Sequence, residues 1–252
     1  MNHPELQSIC ITAKSGAVLF VSELSGVSRN QRSIAALITA LVDLSTRSVG
    51  TPVSYICMNN TAITIAQSEI FGIKAILFHD SNFYRELAQC IANSILHVFC
   101  ERFDQSDLVS TDTMNFKRFN NSLGPAIRDC AGYMIHNLVD RLQTRGAAQY
   151  AIVFNEGDPK YAYPSNADSI TVAANLQQLQ FAIQEVSNIT NDTPFELVVE
   201  DSELFTHIAI TGTTIVILRI KAANHSPDVI ADINRTLEMV RLCVQTADCL
   251  MG

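Results

Sequence analysis

The stretch "ICITAKSGAVLFVSEL", Ile9–Leu24, reads as two strand-forming runs hinged on Lys14-Ser15-Gly16. A second stretch, "QYAIVFNEGDPKYAY", Gln149–Tyr163, has the same build: an apolar run, a polar turn containing glycine, and a second run rich in strand formers. Short apolar runs separated by turn residues are the signature of a β-hairpin. Two such hairpins, far apart in one chain, lead to the expectation of one architecture used twice.

The residues after each hairpin agree with this at the level of pattern. Behind the first, Ser28 and Gln31 make a capping box for a helix with Ile34, Leu37, Ile38, Leu41 and Val42 on one face. Gly50-Thr51-Pro52 ends that connection. Three strand-like runs come next, "VSYICM" (Val53–Met58), "TAITIAQSE" and "IKAILFH", joined by Asn59-Asn60 and Gly72. A helix then carries Phe83, Leu87, Ile91, Ile95 and Val98 along one side. The first half is therefore β-β-α-β-β-β-α.

Residues 104–121 are polar, with scattered Phe116 and Phe119, and read as a linker. Pro125 is expected to open a helix with a stripe at Ile127, Ala131, Met134, Leu138 and Leu142, capped by Gly146. The second hairpin turns through Asn155–Pro159. A helix over Ser169–Ile189 has Val172, Leu176, Leu179, Ile183 and Val186 in register, and Thr193-Pro194 breaks it. "FELVVED", "LFTHIAI" and "TTIVILRIK" are three strands. Ser226 as N-cap and Pro227 as first helical residue start a last helix striped by Val229, Ile233, Leu237, Val240 and Val244. The second half is α-β-β-α-β-β-β-α. The fold class is thus α+β, two tandem domains, each a five-stranded antiparallel sheet flanked by helices.

A chain of 252 residues is about 1.7 typical domain lengths. It is 48% hydrophobic and 17% charged, which supplies a core and departs from the composition of disordered chains. A net charge of −8 argues against nucleic acid as a partner and against simple electrostatic docking on anionic lipid. The start, "MNHPELQSIC", lacks a basic segment followed by an apolar one, so no signal peptide is expected. No apolar run reaches the roughly 18 to 20 residues of a membrane span. Seven cysteines, most inside apolar runs and with no CxxC pair, read as buried reduced thiols, with Cys249 the exposed one.

Reactive signatures are missing from the chain. No GxxxxGK[ST], GxGxxG or GxSxG occurs. His97 and Cys100 are three apart and can face the same side of a helix, but a Cys-His nucleophilic pair needs geometry that spacing alone does not show, and packing is the simpler reading. Glu200, Asp201 and Glu203 read as a solvated turn in preference to a metal cluster, and Arg29 and Arg32 as helix-start cations in preference to an arginine finger. The chain is expected to have no catalytic residue, no cofactor and no metal. "TTIVILRIK" is apolar at nearly every position, whereas a sheet with helices on one face alternates. Its faces or an edge must be covered, by the rest of the chain or by a partner. Leu176, Leu179, Ile183, Ile215 and Ile217 are the candidate partner interface.

The opening "SICITAKSGAVLF" and the β-β-α-β-β-β-α string resemble a longin domain, as in Fuzzy and the longin-type exchange factors for Rab GTPases. A second roadblock or a profilin-like module is the alternative for this half. "AIVFNEGDPKYAYP", "VAANLQQL" and "LFTHIAITGTTIVILRIK" resemble the roadblock fold of dynein light chains, nearest to the roadblock subunits of Ragulator, although Gly157 follows Asn155 one residue sooner than in that pattern. The resemblance implies a longin-like domain over residues 1–103, a linker over 104–122 and a roadblock-like domain over 123–252. It implies a non-enzymatic subunit of a cytosolic complex, without a membrane span, that scaffolds or regulates a small GTPase in membrane trafficking or lysosomal and endosomal signalling. Partners would be that GTPase and another longin or roadblock subunit, at the cytosolic face of endosomal or lysosomal membranes. The alternative is a light-chain-like structural subunit of a dynein or ciliary transport assembly.

Overall fold

The computed structural model describes residues 6–24, 31–104, 116–166, 181, 185, 196–224 and 226–251, side chains at 31, 32 and 251 excepted. Ser28, His225, the arginine at 29 and the expected helix over 169–189, apart from Phe181 and Glu185, lie outside them. The chain divides into two compact units, Met1–Cys130 with Thr246–Gly252, and Ala131–Gln245.

Unit 1 begins with β1 (Leu6–Thr12) and β2 (Val18–Glu23), then α1 (Gln31–Val49), β3 (Tyr55–Cys57), β4 (Thr61–Ser68), β5 (Ile73–Asp80) and α2 (Arg85–Arg102). The strands form one antiparallel sheet in the order β2-β1-β5-β4-β3. The hairpin turns where the sequence puts it, with the Gly16 N–H donating to the Ala13 carbonyl at 2.9 Å. β3 is shorter than the expected Val53–Met58. The Ser45 hydroxyl of α1 donates to the Thr51 carbonyl and accepts the Val53 N–H, which ties Val53 to the helix, while the Ser54 carbonyl already accepts the Ile65 N–H of β4 at 2.9 Å.

Both faces of this sheet are covered. Cys10, Ile63, Ile65, Ile76 and Phe78 pack with Ala35, Ile38 and Val42 of α1. On the opposite face His79 stacks against Phe83 at the head of α2, 5.4 Å between ring centroids. Leu87, Ile91 and Ile95 of α2 are fully buried. That is why "IKAILFH" has no polar alternation: side chains alternate between two apolar layers. On α1 the expected stripe is too wide. Ile38 and Val42 are buried, whereas Leu37 and Leu41 are exposed. Leu37 sits about 160° around the helix from Ala35, which already faces the core. On α2 the stripe closes with buried Phe99 and leaves Val98 half-buried.

The expected linker is core at its far end. Phe116 and Phe119 are fully buried with Phe99 and Phe103. Ring centroids lie 5.6 Å apart for Phe99 and Phe116, 4.9 Å for Phe103 and Phe116, and 5.0 Å for Phe99 and Phe119. Phe119 also meets Phe20 edge-on at 5.2 Å, so the cluster reaches the first hairpin. A 3-10 turn over Lys117–Phe119 leads into α3 (Asn120–Thr144). The helix starts at Asn120, not at Pro125, because the buried phenylalanines have already ordered the chain. Pro125 lies inside it and removes one ladder bond, to the Asn121 carbonyl. The division between units falls within α3, after Cys130, beyond the 104–122 linker.

Unit 2 holds the rest of α3, then β6 (Ala148–Asn155), β7 (Asp158–Tyr163), β8 (Glu196–Glu200), β9 (Leu204–Thr211), β10 (Thr214–Lys221) and α4 (Pro227–Met251), whose tail from Thr246 belongs to unit 1. The sheet order is β7-β6-β10-β9-β8, the order of the first sheet repeated. Gly146, at φ 68°, closes α3: its N–H donates to the Gln143 carbonyl at 2.7 Å and the next N–H, of Ala147, to Leu142 at 2.8 Å. That paired pattern needs a left-handed residue, which glycine adopts without strain. The second hairpin is tighter than expected, with Asn155 already paired to Asp158 across Glu156-Gly157, so Pro159 lies at the start of the edge strand β7. The Ser226 hydroxyl accepts the Val229 N–H at 3.4 Å, the predicted cap. Arg141 of α3 grips Asp232 of α4 with two hydrogen bonds, 3.1 and 2.8 Å.

Phe116 tests whether the end of the polar segment is structural. Phe116→Ala should destabilise the chain by about 3–5 kcal/mol, the range for emptying a buried aromatic site. Urea unfolding followed by circular dichroism measures it; a cost near zero would make this residue a passenger.

Candidate functional site

The interface residues read from the sequence fall into two groups. Leu176, Leu179 and Ile183 lie outside the described residues. Ile215 and Ile217 on β10 are 3% and 8% exposed and pack with Ile152, Phe154 and Ile208 inside unit 2. The opposite face of the same strands is buried too, at Ala151, Val153, Val216 and Leu218. β10 is therefore apolar from Ile215 to Leu218 because it is the central strand of its sheet.

The exposed apolar side chains are others. Two are consecutive residues of β8, Val198 and Val199, at 52% and 57% exposure. Consecutive strand residues point to opposite faces. Among the described residues β8 is paired on one side only, with β9. Its outer side presents backbone N–H and C=O groups in extended geometry, the template for adding a strand. The other edge of this sheet, β7, differs. It starts Asp158-Pro159-Lys160, all exposed, and proline and charge are the common ways to blunt an edge. The one sheet thus has a protected edge and an apolar one.

Behind β8, Glu196 is tied down. Its carboxylate lies 2.8 Å from Nδ1 of His207, whose side chain is almost fully buried. This ties the first residue of the edge strand to β9. In unit 1 a second apolar strip lies on α1: Leu37, Leu41 and Leu44, spaced four and three, are 66%, 39% and 64% exposed. The strip runs along the side of the helix away from Ala35 and Val42.

The side chains with reactive potential are held in structural roles. His97 pairs with Glu101 at 3.2 Å on an open helix face. Burial pushes the Cys100 thiol up, opposed by a hydrogen bond with Ser68. Burial alone pushes Cys10 up to about 12. Cys90 is raised by its hydrogen bond with the Cys130 thiol and then by burial. Thiols so raised stay protonated at neutral pH and are weak nucleophiles. Asp201 accepts the N–H groups of Glu203 and Leu204, 2.8 Å each, and these bonds hold its carboxyl below the usual range. The acidic trio is the turn between β8 and β9. All seven cysteines are free; Cys249 is exposed, as is Cys57, which the sequence did not single out.

The sequence signal for these surfaces was present but weak. "ELVVE" puts three apolar residues, Leu197, Val198 and Val199, side by side in a short strand bounded by acids, which one buried face cannot accommodate. Leu37, Leu41 and Leu44 together with Ile38 and Val42 cover more of a helix than one core contact needs.

No protein-family model and no curated protein matches the chain. Among solved structures it is similar to MglB of Myxococcus xanthus, at 12% identity over 46% of this chain and 90% of that one, with a TM-score of 0.39. It is similar to the gliding protein MglB of Thermus thermophilus, at 14% identity over 46% and 91%, TM-score 0.38. A Roadblock/LC7 domain from Streptomyces avermitilis aligns at 15% identity over 44% and 93%, TM-score 0.35. Each likeness spans less than half of this chain.

One buried group gives a pH test of unit 1. The His79 ring is fully buried, with Nε2 at 2.9 Å from the Thr64 hydroxyl and Nδ1 donating to the Asp80 carbonyl at 2.8 Å. Burial lowers its affinity for a proton, and Asp80 only partly opposes this. The folded state then binds fewer protons than the unfolded state, so stability is present above the ordinary histidine value of about 6.5 and is lost as pH falls below it. The melting temperature should drop between about pH 7 and 5, and His79→Gln should flatten that part of the curve. An unchanged slope in the variant would show that other groups carry it.

Proposed function

We propose that the chain is a non-enzymatic subunit that works by binding other polypeptides, and that it scaffolds or regulates a small GTPase within a hetero-oligomer on the membrane-trafficking or lysosomal and endosomal side of the cell. The observation that carries the binding role is the open edge of β8, where Val198 and Val199 project beside unpaired strand backbone, opposite an edge blunted by Pro159 and charge. A partner strand laid there would gain main-chain hydrogen bonds and cover both valines. The leucine strip of α1 offers a second contact of a different kind, helix against helix or sheet.

The choice of a small GTPase and of a longin or roadblock partner rests on the resemblance of the two hairpin regions to those families. The repetition of one sheet order in both units agrees with it. Binding alone can regulate a GTPase: a subunit that favours one nucleotide state by differential affinity shifts its population, and no reacting group is needed. No helix among the described residues is long and apolar enough to cross a membrane.

The test is affinity purification of the full chain from cells with mass spectrometry, followed by pull-down of the recovered GTPase in its GDP and GTP states. Wild type should bring down a GTPase and at least one further small α+β subunit. Val198→Lys with Val199→Lys should reduce recovery of that subunit at least tenfold while the circular dichroism spectrum is unchanged. Recovery of dynein or ciliary motor chains without a GTPase would decide for the light-chain alternative. A wild-type monomer that captures neither would end the reading.

A further inference from the structure

A cleft of about 390 Å³ opens in unit 1 where the C-terminal end of α1 meets the β4–β5 turn and the first hairpin. Its walls carry Lys14, Arg47 and Lys74 together with Asp43 and Glu69, a balance of one net positive charge on a chain whose net charge is −8. Val42 and Ile73 give it an apolar floor.

Lys74 is the unusual member. It is 5% exposed, and a charged side chain is seldom so buried without close partners. The Asp43 carboxylate stands 3.6 Å from its Nζ. A charge-assisted hydrogen bond is roughly 2.7–2.9 Å long, so at 3.6 Å this pairing is electrostatic, and Lys74 is itself part of the cleft wall. Lys14 reaches the same space across Gly72. A Cβ at Gly72 would stand 3.0 Å from Cβ of Lys14, and the φ of +64° suits glycine, so the turn is shaped to let that lysine lie over it. Arg47, in the last turn of α1, completes a set of three cations from three separate segments.

We propose that this cleft binds a phosphorylated polyol, with the phosphate on Lys74, Lys14 and Arg47 and the hydroxyls on Asp43 and Glu69. The division of labour follows from the donors. A phosphate has enough oxygens to accept from three cations at once, a guanidinium and two ammonium groups among them. Asp43 and Glu69 repel an anion but accept hydroxyl hydrogens, so they select an anion that carries a polyol over a bare one. The volume falls within the range of small-molecule sites. The same chemistry is found in a soluble sugar phosphate and in a phosphoinositide headgroup. This site is independent of the β8 edge.

Isothermal titration of the full chain tests it with four probes: inorganic phosphate, glucose 6-phosphate, glucose, and vesicles containing phosphatidylinositol 4-phosphate. Glucose 6-phosphate should bind more tightly than inorganic phosphate, and glucose should not bind. Lys74→Met should abolish the signal. Lys14→Ala and Arg47→Ala, both at exposed positions, should each weaken it about tenfold with the fold intact. Asp43→Asn should remove the preference for the sugar phosphate over phosphate. Binding to the vesicles would assign the headgroup as source, and binding to glucose 6-phosphate alone would assign the soluble one. The proposal is overturned if no phosphorylated probe binds, or if binding survives unchanged in the Lys14→Ala, Arg47→Ala double variant.

Discussion

The central strand of each sheet is buried on both faces over most of its length, and the rest of the molecule depends on that. In β5 every residue from Ile73 to His79 is buried, and in β10 only Arg219 and Lys221 are exposed. A register slip of one residue in such a strand would keep its apolar character but break each side chain's fit to the layer it faces. The strands therefore need an apolar layer on both sides. In unit 1 these are α1 on one face and α2 with the phenylalanine cluster on the other.

The phenylalanine cluster links parts of unit 1 that are distant in sequence. Phe20 comes from the hairpin, Phe99 and Phe103 from the end of α2, and Phe116 and Phe119 from the segment that enters α3. Phe99 touches three of the others. Ordering Phe116 and Phe119 starts α3 before its proline. Ser94 of α2 donates to the Ala126 carbonyl of α3 at 2.7 Å, a further contact between the two helices.

With cores satisfied, the surface is what remains to explain function. The unit 2 sheet blunts β7 with proline and charge but leaves valines on β8. Exposed apolar residues scattered singly are ordinary; two on a strand edge and three in register on one helix are not scattered. The polar constellations that could have carried chemistry instead close turns, cap strands or tie helices, as with Asp201 and Arg141. The cleft around Lys74 is the exception, where a buried lysine paired with Asp43 forms part of the wall of an open cleft.

The sequence by itself determined the order of the described elements. Its turn chemistry at Lys14-Ser15-Gly16, Gly146 and Ser226-Pro227, and its helical spacing over Ile127–Leu142, act through neighbours a few residues apart, and those elements stand as read. It also showed that the strand over Thr213–Lys221 must be covered on its faces or at an edge, and left open by what; the structure shows burial on both faces of that strand. Only the tertiary structure decided which apolar residues are core. Leu37 and Leu41 share a period with Ile38 and Val42, and Phe116 sits in a polar stretch; periodicity is blind to what lies opposite. Ile215 and Ile217 look like interface residues in the chain and are interior in the fold, while Val198 and Val199 were passed over. The reason is physical: a side chain's exposure depends on whether its strand lies at the centre or the edge of a sheet, and that order is set by pairings between residues tens of positions apart.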